Sequence, residues 1–203
     1  MKKLLTILFI SAALTTYSQD NYKGHVDVLV GNTGVSGELS DEGGALDGMS
    51  FGLKAGYRFT ERFGAAISMG VSGHDSDMPG YENKVIGVGH LALGPMVSYN
   101  FGDKFRWDFK PMWALTSVTA TADEMTTGTE VSYSYKSHSS FLLSNSINFL
   151  MGKGFGVSLN VDWLSTGNFD EGTIEILDEE LTFESDSKGL YTTTVSIGLG
   201  YRF

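Results

Sequence analysis

The sequence contains no cysteine. Disulfides, thiolate nucleophiles and Cys-ligated zinc or iron–sulfur centres are therefore excluded. Only 3 of its 203 residues are proline, against 26 glycines, so it lacks the mixed Pro-plus-Gly composition of a disordered chain. Charged residues make up 19%, below the usual share of about a quarter. Basic residues are the scarcer kind: 14 Lys and Arg stand against 24 Asp and Glu, a net charge of −10. Nucleic acid is disfavoured as a partner, because its phosphates are held by Lys and Arg. No HExxH, P-loop, GxGxxG or GxSxG motif is present, so the reading is of a non-enzyme with no cofactor. No apolar run reaches the roughly 20 residues that a membrane-spanning helix needs.

What the chain has instead begins with an export signal. Lys2 and Lys3 precede an apolar run from Leu4 to Leu14, and Thr16 and Ser18 are the small residues that cleavage before Gln19 requires. Residues 1–18 therefore read as a signal peptide and 19–203 as one exported domain, with no cysteine after the apolar run for lipid attachment.

Beyond the signal, hydropathy alternates with period two. Met49, Phe51, Leu53, Ala55, Tyr57 and Phe59 alternate with Ser50, Gly52, Lys54, Gly56 and Arg58. The same pattern recurs over 155–163 and over 195–203. Strict alternation marks a strand with two unlike faces. The polar face is mostly Gly, Ser and Asn, which suits a crowded interior. The apolar face carries aromatics at strand ends: Phe59, Phe63, Phe101, Phe105, Trp107, Phe155 and Trp163, with Tyr201 and Phe203. Aromatic girdles on alternating strands of about ten residues are what a transmembrane barrel presents to lipid. In lipid every backbone group must be paired, so such strands must close.

Eight segments are legible, at roughly 23–31, 49–59, 63–72, 84–101, 105–121, 132–151, 155–166 and 190–203. Three connections are tight (60–62, 102–104 and 152–154), and four are long (about 32–48, 73–83, 122–131 and 167–189). Short periplasmic turns and long external loops are the asymmetry of these barrels. The expected fold is all-β, an eight-stranded antiparallel up-and-down transmembrane β-barrel. Pro95 and Pro111 fall inside strands and oppose each other across the Gly102–Lys104 turn, so a bulge or a break in the ladder is expected there.

These features, with the C-terminal Gly198-Leu199-Gly200-Tyr201-Arg202-Phe203, resemble the small eight-stranded outer-membrane barrels of the OmpA/OmpX/OmpW class. The resemblance covers essentially the whole mature chain. It implies an outer-membrane location in a Gram-negative envelope, contact with outer-membrane lipid and lipopolysaccharide, and delivery by periplasmic chaperones to the assembly machinery. Leu199, Tyr201 and Phe203 match the alternate positions of the family's assembly signal. No large periplasmic domain is expected after the barrel.

The alternation turns Asp27, Lys54, Arg58, Arg106, Asp108, Lys110, Asp162 and Arg202 inward, a lumen network whose charges sum to +2. Counted from the periplasmic strand ends, Asp27, Lys54, Lys110 and Asp162 fall at similar depth, as one neutralised layer would require. An eight-stranded barrel is just wide enough to be filled by side chains. Of the 24 acidic residues, 18 lie in or beside the long connections, eight of them between Asp170 and Asp186. Such runs usually form a solvated face. Asp75-Ser76-Asp77 with Glu82 is the tightest cluster but lacks EF-hand spacing, so no metal site is expected. His138-Ser139-Ser140 resembles the His-x-Ser of lipid A deacylases, but no carboxylate lies between Lys136 and Gly154. Three functions follow in order: extracellular ligand binding, adhesion or envelope integrity through the loops; a narrow channel for ions or small solutes; and, last, a lipid-modifying enzyme.

Overall fold

The computed structural model describes residues 22–37, 45–76, 81–124, 130–152, 154–167, 169, 171–176, 179–184 and 189–203. The expected signal peptide lies outside them. The described residues form ten strands and no helix: β1 (Gly24–Gly37), β2 (Ala45–Arg58), β3 (Phe63–Ser76), β4 (Tyr81–Phe101), β5 (Phe105–Glu124), β6 (Glu130–Gly152), β7 (Phe155–Ser165), β8 (Glu171–Ile176), β9 (Glu179–Glu184) and β10 (Leu190–Arg202). Strands β1 to β6 each pair antiparallel with the next, and β10 pairs with both β7 and β1. The result is the expected closed eight-stranded antiparallel barrel.

The register fixes its shape. A row across the sheet from His25 runs through the pairs of Gly56, Ala66 and Gly94, steps to Met112 at the register of the flanking β4–β5 pairs, continues through Leu142, Leu164 and Thr192, and returns to β1 at Val35, ten residues further along. That stagger over eight strands corresponds to a strand tilt of about 40°. Alternation sends the expected apolar positions outward, where Phe51, Leu93, Trp113, Ile197 and Leu199 are all exposed. Lipid, not water, suits such a surface. Phe59, Phe63, Phe101, Phe105, Phe155, Tyr201 and Phe203 are exposed around one end, and Trp107 is half covered there by Phe109, its ring centroid 6.0 Å away. Trp163 belongs to the other end, stacked on Tyr191 at 5.8 Å and 10°. Ten residues separate Tyr201 from Tyr191 on β10, about 25 Å of height at this tilt, which matches the apolar band of an outer-membrane barrel.

The periplasmic turns are built locally. Thr60 Oγ1 accepts the amides of Arg62 and Phe63, at 3.3 and 2.9 Å. Gly102 and Gly154 take φ of +66° and +83°, a region open to glycine at no steric cost.

Three long connections are shorter than expected. Strands β1 and β2 continue to Gly37 and from Ala45, β3 and β4 to Ser76 and from Tyr81, and β5 and β6 to Glu124 and from Glu130. Above the lipid the outer face need not be apolar, so pairing persists after the hydropathy signal fades. The fourth connection is corrected more deeply: it holds the β8–β9 hairpin, and β8 pairs with the extension of β6.

The expected ladder break is present and is not a bulge. Pairing between β4 and β5 stops after Leu93–Trp113 and resumes at Val97–Phe109 with unchanged register. Pro95 still pairs with Ala65 of β3, and Pro111 with Leu143 of β6. Loss of three consecutive positions on one side only is what results when both missing N–H groups belong to a single hydrogen-bonded pair.

Candidate functional site

All eight luminal charges expected from the sequence are buried. They do not form the single layer expected for Asp27, Lys54, Lys110 and Asp162. Asp27 and Lys54 are direct cross-strand neighbours, yet each carboxylate and ammonium takes a different partner. The stagger of ten residues sets which inward side chains meet across the lumen, so similar counts from the strand ends do not make these four groups partners of one another.

In the lower network, Arg202 Nη2 donates to Asp27 Oδ1 and to Asn148 Oδ1, both at 2.8 Å. Asn148 Nδ2 donates to Asp108 Oδ2 at 2.8 Å, and Ser98 Oγ donates to Asp108 Oδ1 at 2.7 Å. Arg106 Nε lies 3.0 Å from Asp108 Oδ1, and His25 Nε2 lies 3.8 Å from Asp27 Oδ2. Gly200 leaves space that the Arg202 guanidinium occupies.

The upper network crosses the lumen. Lys54 Nζ, on β2, donates to both oxygens of Asp162 on β7 at 2.7 Å and to Ser144 Oγ at 2.9 Å. Lys110 Nζ donates to Ser146 Oγ at 2.7 Å, and Ser146 Oγ donates to Asn160 Oδ1 at 2.6 Å. Three carboxylates thus match three cations. Among the described residues neither Lys110 nor Arg58 has a carboxylate within ion-pair distance.

Sequence reasoning missed what fills the rest. Above the charged level the inner faces of β4 and β5 are largely apolar, carrying Ile86, Val88, Ala92, Met96, Met112, Ala114 and Val118, and they join Leu142 and Leu164 in one buried cluster. Phe169, from the last connection, and Leu190 complete that cluster, with Tyr135 5.5 Å from the Phe169 ring. The signal was available: residues 85–97 are apolar at both parities, as strands buried on both faces are. A cavity of about 40 Å³, lined by Lys54, Asp162, His90 and Ser196 among others, remains beside the upper ion pair. That is room for water alone.

Above the barrel, β4, β5, β6, β8 and β9 form a continuous sheet. Its β9 edge has no further strand among the described residues. On β8 and β9, Glu171 is paired with Glu184 and Glu175 with Glu180. The His138 motif falls in a bulge, where Ala114 pairs with Ser140 and Thr116 with Ser137. Ser140 Oγ is buried, donates to the Thr166 carbonyl at 2.8 Å and lies 2.5 Å from Thr116 Oγ1. Of the acidic cluster, Asp77 lies outside the described residues, and no group of three or more metal-ligating side chains occurs among those described.

Comparison with solved structures finds the same architecture at low identity. Ail, the attachment invasion locus protein of Yersinia pestis, matches with a TM-score of 0.59 at 14% identity, covering 90% of this chain and 99% of that one. Neisserial surface protein A matches at 0.57 and 10%, covering 89% and 97%. The outer membrane protein OprG of Pseudomonas aeruginosa matches at 0.53 and 9%, covering 93% and 99%. No curated protein matches the sequence. The family of the outer membrane protein beta-barrel domain matches residues 4–203, and the chain belongs to that family of outer-membrane barrels.

Proposed function

We propose that this outer-membrane barrel is a surface-binding protein whose working part is the acidic external sheet, its lumen serving as a structural plug. The observation that carries this reading is the β8–β9 hairpin: it extends the sheet beyond the barrel wall and sets glutamates opposite glutamates. A basic partner surface would complement this connection, which carries eight acidic residues between Asp170 and Asp186. The filled lumen supports the same reading, since ion pairs below and the Phe169 cluster above leave little space to conduct. The likeness to Ail, an attachment protein by name, agrees with it at the level of fold.

The remaining expectations belong to this proposal too. Lipid and lipopolysaccharide would surround the aromatic belt. Leu199, Tyr201 and Phe203, all facing outward on the last strand, would be read by the assembly machinery after delivery by periplasmic chaperones.

The test uses the protein in lipid nanodiscs against immobilised basic and acidic proteins. Binding to the basic set, weakened by salt and lost when residues 170–186 are replaced by a short Gly-Ser linker, is the expected result. Retention of binding by a correctly folded hairpin deletion would overturn it. The second reading, a narrow conduit, is favoured by the cavity beside Lys54 and Asp162, and predicts conductance that changes with Lys54→Ala or Asp162→Ala.

A further inference from the structure

We infer that the periplasmic mouth of the barrel holds a phosphate group, with Arg58 as its central ligand. Arg58 closes β2 and is 8% exposed. Among the described residues its guanidinium is incompletely satisfied: Nη2 donates to the Tyr22 carbonyl and Nη1 to the Glu61 carbonyl at 3.4 Å, while the buried Nε has no hydrogen-bond partner. Both acceptors are neutral carbonyls, so among the described residues no carboxylate at ion-pair distance balances its charge. A buried cation without an anion is costly, and Arg is the side chain whose planar fork fits phosphate oxygens.

The space beside it is suited to such an anion. A cavity of about 610 Å³ is lined by Tyr22, Lys23, Arg58, Phe59, Thr60, Glu61 and Asn100, and a smaller one on the Arg106 side shares Tyr22, Arg58 and Asn100. Lys23 adds a second cation, and Asn100 an exposed amide. Thr60 Oγ1 accepts two backbone amides, which leaves its own O–H free to donate. Two carboxylates also border the cavities, Glu61 and Asp103, and both are exposed to solvent. Phe59 lines the larger cavity while belonging to the lipid-facing girdle. The cavity therefore borders both the periplasm and the level of the inner-leaflet headgroups, so free phosphate and a phospholipid headgroup share the recognising chemistry.

Calorimetric titration of the folded protein in a neutral detergent tests this, with inorganic phosphate in one arm and short-chain phosphatidylglycerol in the other. Saturable binding in either arm, weakened at least tenfold by Arg58→Gln and several-fold by Asn100→Ala, is expected. Arg62→Gln, in the same turn but not lining either cavity, should leave it unchanged. Binding in the first arm alone identifies the free ion, and in the second alone the headgroup. Folding is checked for each variant by heat-modifiable gel mobility. Should Arg58→Gln fail to fold, the exposed Asn100→Ala variant carries the test. Absence of saturation in both arms, or saturation indifferent to both variants, overturns the inference.

Discussion

At the scale of single residues, the Lys54–Asp162 pair is the most exacting feature of the lumen. It joins opposite walls, and both charges are removed from water. Removing one partner of a buried pair strands the other, at a cost of about 3–5 kcal/mol. Asp162→Ala should therefore lower the urea midpoint of the folded barrel by that equivalent. Replacing both residues, as Lys54→Met with Asp162→Leu, should recover most of the loss, because a well-packed apolar pair is often as stable as a buried ion pair. A double variant as unstable as the single one would show that the wall contacts of Ser144 and Asn160, not the charges, hold this level. Which residues face inward was legible in the sequence, since strand parity is a local property. Which of them meet was not, because partners across the lumen depend on the stagger of the whole barrel. Asp27 shows the difference: its alternation places it correctly, and its partner Arg202 is 175 residues away.

At the scale of the element, β4 and β5 concentrate two prolines at one hydrogen-bonded pair and so confine the damage to one gap in the ladder. Pro95→Val should restore one inter-strand bond, worth about 1 kcal/mol, and Pro95→Val with Pro111→Val should restore two. Urea unfolding checks the gain, and slow hydrogen exchange at the new amides checks its cause. A stabilised double variant with unprotected amides would assign the gain to side-chain packing instead. This gap was legible because proline lacks an N–H wherever it stands. The β8–β9 hairpin was not read as strands, although Gly172, Ile174 and Ile176 alternate with Glu171, Thr173 and Glu175. Its acidic composition suggests a solvated loop, and only its pairing with β6, some 40 residues earlier in the chain, makes it part of a sheet. The extensions of β1 to β6 were hidden for a related reason: above the belt no lipid enforces an apolar outer face.

At the scale of the whole molecule, the distribution of charge and of space decides between a plug and a pore. An eight-stranded wall encloses little more than its own inward side chains. Here glycines on some strands face bulkier residues from others: Leu29 sits against Gly52 and Gly198, and Met96 against Gly56. Where ion pairs end, the apolar cluster begins and continues to Phe169 and Leu190. The folded protein in a planar bilayer should accordingly show no discrete conductance steps at moderate voltage, its folding being established first by heat-modifiable mobility. Reproducible steps would overturn the plug, and their selectivity would then be informative. Lys110 and Arg58 are the luminal cations without a carboxylate at ion-pair distance among the described residues, so a conducting lumen of this composition would favour anions. Silence leaves the acidic external sheet as the part of the molecule free to act, and makes the hairpin replacement the variant that separates assembly from binding.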